Sequence, residues 1–153
     1  MAKRNKYRGS SLKGGIELYG VSELLKQIEA AGGKVDEAVK KTVNASLKVV
    51  GDDMQNFMSG HKLSGDTYES FEIIPATNSD TVKVGRETYR VKSGVTGSVG
   101  YNIKEGGLPA IFLDVGTPKQ RPYFFRYYAV NNNTKRLAEI QRATLNEILE
   151  GLK

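Results

Sequence analysis

An apolar stripe at helical spacing between residues 35 and 57 constrains the fold of this chain more than any other feature. Its members are Val35, Val39, Val43, Val50, Met54 and Phe57. The charged residues between positions 34 and 48 fall mostly off the stripe, so the pattern predicts one amphipathic helix that runs to about Met58. Such a helix has to bury its apolar stripe against a second layer.

The segment "VTGSVGYNI", residues 95–103, supplies a candidate for that second layer. Val95, Gly97, Val99, Tyr101 and Ile103 alternate with polar or small residues. Period-two alternation predicts a strand with one apolar and one polar face. A sheet with one face toward water is antiparallel, and the long helix is its natural cover.

Further elements complete the predicted fold. Phe71, Ile73 and Ile74 precede a turn at residues 77–80, and Val82 and Val84 follow it, which together predict a hairpin. Three more helices are predicted: one with Ser22 as its cap, a short one opened by Pro109 and closed by Gly116, and a C-terminal one from Thr134.

These elements predict an α+β fold, in which an antiparallel sheet of about four strands packs against the long amphipathic helix and the C-terminal helix. At 153 residues the chain is expected to form one domain, residues 16–153, preceded by a basic arm, residues 1–15.

The net charge of +6 is concentrated in that arm. Its cations are Lys3, Arg4, Lys6, Arg8 and Lys13, and it contains no acid. Because it also carries few apolar groups, the arm is expected to be disordered on its own. Two interpretations stay open: a solvated terminus, or an arm that contacts an acidic partner or DNA phosphates. The nearly neutral remainder argues against a basic groove on the folded body.

The sequence offers little for catalysis. It has no cysteine, which excludes a disulfide, a thiolate metal site and a cysteine nucleophile. The only histidine, His61, is near Asp52, Asp53 and Asp66, but adjacent residues on a helix point about 100° apart and no second histidine follows. We therefore expect His61 in a solvated loop, with no metal, no cofactor and no enzymatic activity.

Two targeting features are missing from the sequence. The start, "MAKRNKYRGS", has charge without an apolar run behind it, and no later stretch approaches the roughly 18 apolar residues of a membrane span. The expectation is a soluble protein, made and used in the cytoplasm, with no membrane partner.

The segment "FLDVGTPKQRPYFFRYY", residues 112–128, is unusually rich in aromatic residues and arginine. Gly116 can take a left-handed conformation, and Pro122 is expected to occupy the first position of a new helix. Adjacent aromatic residues on that helix cannot all face inward. Either Phe125 and Tyr128 join the core while Tyr123, Phe124 and Tyr127 fringe it, or the segment is an assembly interface, where Tyr, Phe and Arg are enriched.

This segment resembles the signature of the tail-completion, or neck, family of long-tailed bacteriophages. That signature has an aromatic residue, an acid, Gly-Thr, a short spacer, and then Arg-Pro-Phe with a further Arg or Pro. The matching positions are Phe112, Asp114, Gly116, Thr117, Arg121, Pro122, Tyr123, Phe124 and Arg126. The order of the remaining parts is similar over residues 16–153: "GVSELLKQIEA", a Lys-rich helix, Ser64-Gly65 before Ser70-Phe71, "SVGYN" and a C-terminal helix.

Two positions depart from the family pattern. The loop "GHKLSGD" lacks the usual Pro and Asp before its Gly, and Asp114 stands where Glu is commoner. The basic arm lies outside the resemblance.

The resemblance implies a virion protein of the head–tail junction that is present in the host cytoplasm during assembly. It implies a ring of identical subunits that contacts a head connector or stopper protein and a tail terminator or tube protein. The implied assembly interface is Gly116, Thr117, Arg121, Pro122, Tyr123, Phe124 and Arg126, with DNA a further partner for the arm. The competing hypothesis is a small nucleic-acid-binding protein that uses its arm, and a weaker one is a hydrolase around His61.

Overall fold

The structure is a computed structural model, and it describes residues 21–61, 65–79, 81–84, 87–90 and 94–153. The arm cations Lys3, Arg4, Lys6, Arg8 and Lys13, and Ser64 from the family resemblance, lie outside the described residues.

Helices and strands both occur, so the predicted α+β class is confirmed. The described helices are α1 Ser22–Ala30, α2 Val35–Ser59, α3 Asp66–Glu69, α4 Leu108–Val115, α5 Phe125–Asn131 and α6 Thr134–Gly151, with a 3-10 turn at Ile103–Glu105. The described strands are β1 Phe71–Asn78, β2 Thr81–Val84, β3 Glu87–Arg90 and β4 Val95–Tyr101. The long helix and the short proline-opened helix therefore lie where the sequence places them.

The described strands form two ladders of two strands each, β1 with β4 and β2 with β3. The N–H of Ser79 donates to the carbonyl of Gly94 over 2.9 Å at one end of the first ladder. At its other end the N–H of Asn102 donates to Ser70 over 2.9 Å, so β1 and β4 are antiparallel. A single sheet of about four strands is not what these strands form. The predicted hairpin of β1 with β2 is wrong, because β1 pairs with the more distant β4.

Tertiary contacts divide the chain into two compact units. The aromatic unit comprises Val50–Ile73 and Val99–Asn133. The helix-pair unit comprises residues 21–49, 74–98 and 134–153. The single domain predicted for residues 16–153 stays a prediction.

Apolar side chains pack in two clusters among the described residues of the helix-pair unit. In the first, Val21, Ile28, Ala38, Leu145 and Leu149 pack together, so that α6 lies against α1 and α2. In the second, Val39 packs with Ala76 of β1 and Val95 of β4. The long helix thus covers strands as predicted, whereas the C-terminal helix packs in this unit on other helices.

The buried face of α2 also contains two polar residues, which its apolar stripe did not predict. Thr42 and Ser46 are fully buried, and their hydroxyls donate to the carbonyls of Ala38 and Thr42 over 2.8 and 3.0 Å. The side-chain amide of Gln141 on α6 donates to the Ser46 hydroxyl over 3.2 Å. Each of the two buried hydroxyls therefore has a hydrogen-bond partner.

Two predicted boundaries are wrong by one or two residues. Ser22 is inside α1, and Val21 occupies the cap position without a side-chain cap bond. Strand β4 ends at Tyr101, because the side chain of Asn102 accepts the N–H of Lys104 and starts the 3-10 turn. Ile103 therefore leaves the strand and is 54% exposed.

None of the described helices is long and apolar enough to cross a membrane.

Candidate functional site

The loop between α4 and α5, residues 116–124, is fixed by its own backbone. The N–H groups of Tyr123 and Phe124 donate back to the carbonyls of Leu113 and Asp114 over 2.9 and 3.0 Å. These bonds delay the next helix, so α5 begins at Phe125 and the prediction that Pro122 opens it is wrong. Loops held this way present their side chains in one fixed arrangement.

A narrow turn closes the tip of this loop. The backbone groups of Thr117 and Gln120 exchange two hydrogen bonds, of 3.0 and 3.2 Å. The hydroxyl of Thr117 also accepts the N–H of Lys119 over 3.2 Å. Thr117, predicted as an interface residue, therefore has a structural role within the loop.

Gly116 allows the two ends of the loop to meet. Its φ of 78° is positive, but its ψ of 170° is not that of the left-handed helical conformation that the sequence predicts; this combination is one that essentially only glycine adopts. A Cβ atom at this position would lie 2.9 Å from both Cδ and N of Pro122 and 3.0 Å from the carbonyl oxygen of Gln120. Both the backbone angle and the contact with Pro122 therefore require glycine.

A buried ion pair joins α4 to α5. Asp114 has a side chain only 1% exposed, and Nη2 of Arg126 lies 2.7 Å from its Oδ2. Nε of Arg126 donates to the same oxygen over 2.8 Å, and the backbone N–H of Arg126 donates to Oδ1 over 3.1 Å. This pair, whose members are twelve residues apart in the sequence, therefore holds together the two ends of the loop. Arg126, predicted as a contact residue, has this internal role.

Phe124 takes an unfavourable backbone conformation beside this pair. Its φ is 53°, and it is the non-glycine residue with positive φ in the described chain. For a bulky residue this angle costs on the order of 1–3 kcal/mol. Its N–H bond to Asp114, together with the helical bond of 3.0 Å that its carbonyl accepts from Tyr128, holds it there.

Arg121 and Tyr123 are the predicted interface residues that the loop leaves at the surface. Arg121 is exposed and makes no ion pair with any residue that the structure describes. Tyr123 is 45% exposed. The structure therefore separates the seven predicted residues into a supporting set, which holds the loop, and this exposed pair.

An aromatic cluster lies next to the loop in the aromatic unit. Phe57 of α2 stacks on Phe125 with ring centroids 4.7 Å apart, and Tyr123 tilts against Phe57 at 5.3 Å. Tyr101 meets the ring of Phe125 edge-on at 6.0 Å. Phe125 is buried and Tyr128 is 45% exposed, so of these two only Phe125 joins the core as predicted.

His61 belongs to this cluster rather than to a solvated loop, which corrects the sequence prediction. Its ring stacks on Phe57 at 4.2 Å and meets Tyr123 edge-on at 5.0 Å. Its Nδ1 lies 2.9 Å from the carbonyl oxygen of Phe57. Phe57 lies in the last turn of α2 and His61 lies two residues after its end, so the four-residue spacing is the sequence signal for this contact. No group of three potential metal ligands occurs within the ranges that the structure describes.

Tyr101 ties β4 to α2. Its hydroxyl lies 3.0 Å from the carbonyl oxygen of Met54 and 2.7 Å from Oε1 of Gln55. Burial, reinforced by the nearby Tyr68, raises the pKa of Tyr101 well above its ordinary value. The neutral hydroxyl is thus the form that this contact needs.

Helix α4 carries a second exposed aromatic and apolar surface. Leu108 and Phe112, four residues apart and so on one face, are both 46% exposed. Pro109 is in the first turn of this helix, as the sequence predicts. An apolar helix face left in water marks a candidate contact surface.

Comparison of the chain with protein-family models, with curated proteins and with solved structures found no match.

Proposed function

We propose that this chain is a virion assembly protein of the head–tail interface of a long-tailed bacteriophage, and that it acts through protein–protein contacts. The observation that carries the proposal is the α4–α5 loop. Its supporting set fixes the backbone, and Arg121 and Tyr123 project from it to the surface. Arginine and tyrosine are enriched at the energetically dominant centres of interfaces, and a fixed loop loses little entropy on binding.

The phage assignment rests on the order of motifs, which resembles the tail-completion family. In support of that assignment, four residues of the resembling segment, Asp114, Gly116, Pro122 and Arg126, make internal contacts of the loop.

Ring formation is the proposed form of assembly. A ring requires two different faces on each subunit that meet head to tail. We propose the loop as one face. Helix α4, which directly precedes the loop in the sequence, adds apolar surface through the exposed residues Leu108 and Phe112. The edges of the β1–β4 ladder offer backbone groups to which a strand of a neighbouring subunit can pair. The partners proposed beyond the ring are a head connector or stopper protein and a tail terminator or tube protein.

The test is electron microscopy of phage particles that carry a small affinity tag on this protein, labelled with gold. The proposal expects label at the head–tail junction and nowhere else on the particle. Label on tail fibres or the baseplate, or particles without label that are fully infectious, would contradict it. An untagged phage treated with the same gold conjugate is the control.

The basic arm favours a second candidate, a small nucleic-acid-binding protein. DNA binding by the full chain should then weaken steeply with salt, because each neutralised phosphate releases a counterion. Changing the five arm cations to Gln separates the two functions. If the altered chain still joins heads to tails, DNA binding by the arm is not the function of the protein.

A further inference from the structure

A groove of about 200 Å³ lies in the aromatic unit beside the exposed loop residue Tyr123. It is lined by Asp53, Phe57, Tyr123, Phe125, Tyr128, Ala129 and Asn132. Aromatic side chains therefore form most of its wall, and the carboxylate of Asp53 also lines it. Both tyrosines are 45% exposed, so the groove opens to solvent.

Tyr123 and Tyr128 are the aromatic residues of the groove whose side chains are exposed to solvent. Phe57 stacks on Phe125, with 11° between their ring planes, and also on His61, so these three rings cover one another's faces. The Tyr123 ring is inclined at 59° to that of Phe57. Ring faces carry partial negative charge and attract ammonium or guanidinium groups within about 6 Å. The two exposed tyrosine rings are therefore the surfaces on which an organic cation can bind in this groove.

Asp53 gives the groove a formal negative charge. Its Oδ2 accepts a short hydrogen bond from the side-chain amide of Asn133, which also donates to the carbonyl of Ala129 over 2.7 Å. Asn133 is buried and thus holds the carboxylate in place. Asp53 makes no ion pair with any residue in the described part of the chain. A partly buried carboxylate without a cation favours a positively charged ligand.

We infer that this groove binds the side-chain cation of a lysine or arginine, and that the occupant is the basic arm, residues 1–15, of this chain. The arm holds five of the six surplus positive charges of the protein and no acid, so its charge complements Asp53 and the ring faces. Fully extended, fifteen residues reach roughly 50 Å, which exceeds the width of a small domain. The inference is independent of whether the protein joins heads to tails.

The test uses the full chain with its five arm cations changed to Gln, so that its own arm does not compete. A synthetic peptide of residues 1–15 is titrated onto it, and the aromatic and methyl resonances of Phe57, Tyr123, Tyr128 and Ala129 are followed by NMR. We expect saturable shifts at these residues. A peptide with its Lys and Arg changed to Gln should produce none.

Matched variants separate the groove from general electrostatics. Asp53→Asn should weaken the peptide affinity about tenfold, whereas Asp52→Asn, the same charge change at the exposed neighbouring position, should weaken it less than about twofold. Tyr128→Leu should weaken binding about three- to thirty-fold, the range of one cation–aromatic contact. Tyr128→Phe, which keeps the aromatic ring, should retain the peptide affinity of the unsubstituted groove.

Four results would overturn the inference. They are equal weakening by Asp52→Asn and Asp53→Asn, shifts confined to residues outside the groove, equal binding of the neutral peptide, and no shift at all. Thermal melting of each variant confirms that it is folded before its affinity is compared.

Discussion

Asp114 and Arg126 show how single residues fix the candidate interface. The carboxylate is buried and accepts from both the side chain and the backbone of Arg126, so the pair joins two helices across the loop. Breaking a buried pair by removing one partner leaves an uncompensated charge, which costs more than the pair itself contributes.

The two arginines of the loop should therefore behave differently on substitution. Arg126→Gln should lower the free energy of unfolding by about 2–3 kcal/mol, allowing for the 30% exposure of the Arg126 side chain. Arg121→Gln, the matched control, should change it by less than about 0.5 kcal/mol because the residue is exposed. Urea unfolding of both variants measures the difference. Similar stabilities would show that the Asp114 pair does not support the loop.

Gly116 tests the loop backbone at the same scale. Gly116→Ala should destabilise the protein by more than about 2 kcal/mol, because Gly116 combines backbone angles that essentially only glycine adopts with a close approach to Pro122. Gly94→Ala is the control, since Gly94 also has positive φ, of 65°, but nothing lies within 4 Å of its added Cβ. That variant should lose only about 1 kcal/mol. Equal losses in thermal or urea unfolding would contradict the contact with Pro122.

At the scale of elements, Tyr101 connects β4 to α2. The raised pKa of Tyr101 has a defined sign for stability. The unfolded chain releases the tyrosine proton near pH 10, whereas the folded protein holds it to higher pH. The contribution of this contact is thus complete below about pH 10 and is lost as the pH rises above it.

Tyr101→Phe should therefore lower the free energy of unfolding by about 1 kcal/mol near pH 7, through loss of the hydroxyl contacts with Met54 and Gln55. The gap between wild type and variant should narrow above pH 10. Denaturant unfolding at several pH values from 7 to 11 checks this. A gap that stays constant or widens would mean that the Tyr101 hydroxyl is not held in its neutral form.

Periodicity predicted the elements that local sequence determines. The stripe from Val35 to Phe57 predicted α2, and Pro109 with Gly116 predicted α4 and its end. Strand pairing was not predictable in the same way. Whether β1 pairs with β2 or with β4 depends on which strand the long helix covers. Gly97 of β4 allows the helix to lie close, because a Cβ atom at this position would be 2.7 Å from the Leu47 side chain.

The candidate site was only partly predictable for a related reason. The sequence identified the exposed residues Arg121 and Tyr123, because their types are typical of interfaces. It did not distinguish them from Arg126, since the ion pair with Asp114 depends on two helices meeting in space. Asn133, which holds Asp53 at the groove, is eighty residues away along the chain and carried no sequence signal.

At the scale of the whole molecule, we propose that this chain of 153 residues uses its fold to present one loop to neighbouring subunits. Internal hydrogen bonds and the Asp114–Arg126 pair hold the backbone of the loop, so its conformation does not depend on the side chains that it exposes. Substitution of an exposed loop residue should thus change assembly without changing folding. In a protein whose loop only completes its core, the same substitution should change neither assembly nor folding.

Complementation of a phage that lacks this protein with the Arg121→Glu variant tests this claim most directly. The subunit should be soluble and folded, yet filled heads and free tails should accumulate, because a like charge buried at an interface costs several kcal/mol. Lys119→Glu, the same charge reversal two residues away, is the matched control and should yield infectious particles. Normal infectious particles from Arg121→Glu, or an insoluble Arg121→Glu subunit, would contradict the assignment of this loop as an assembly surface.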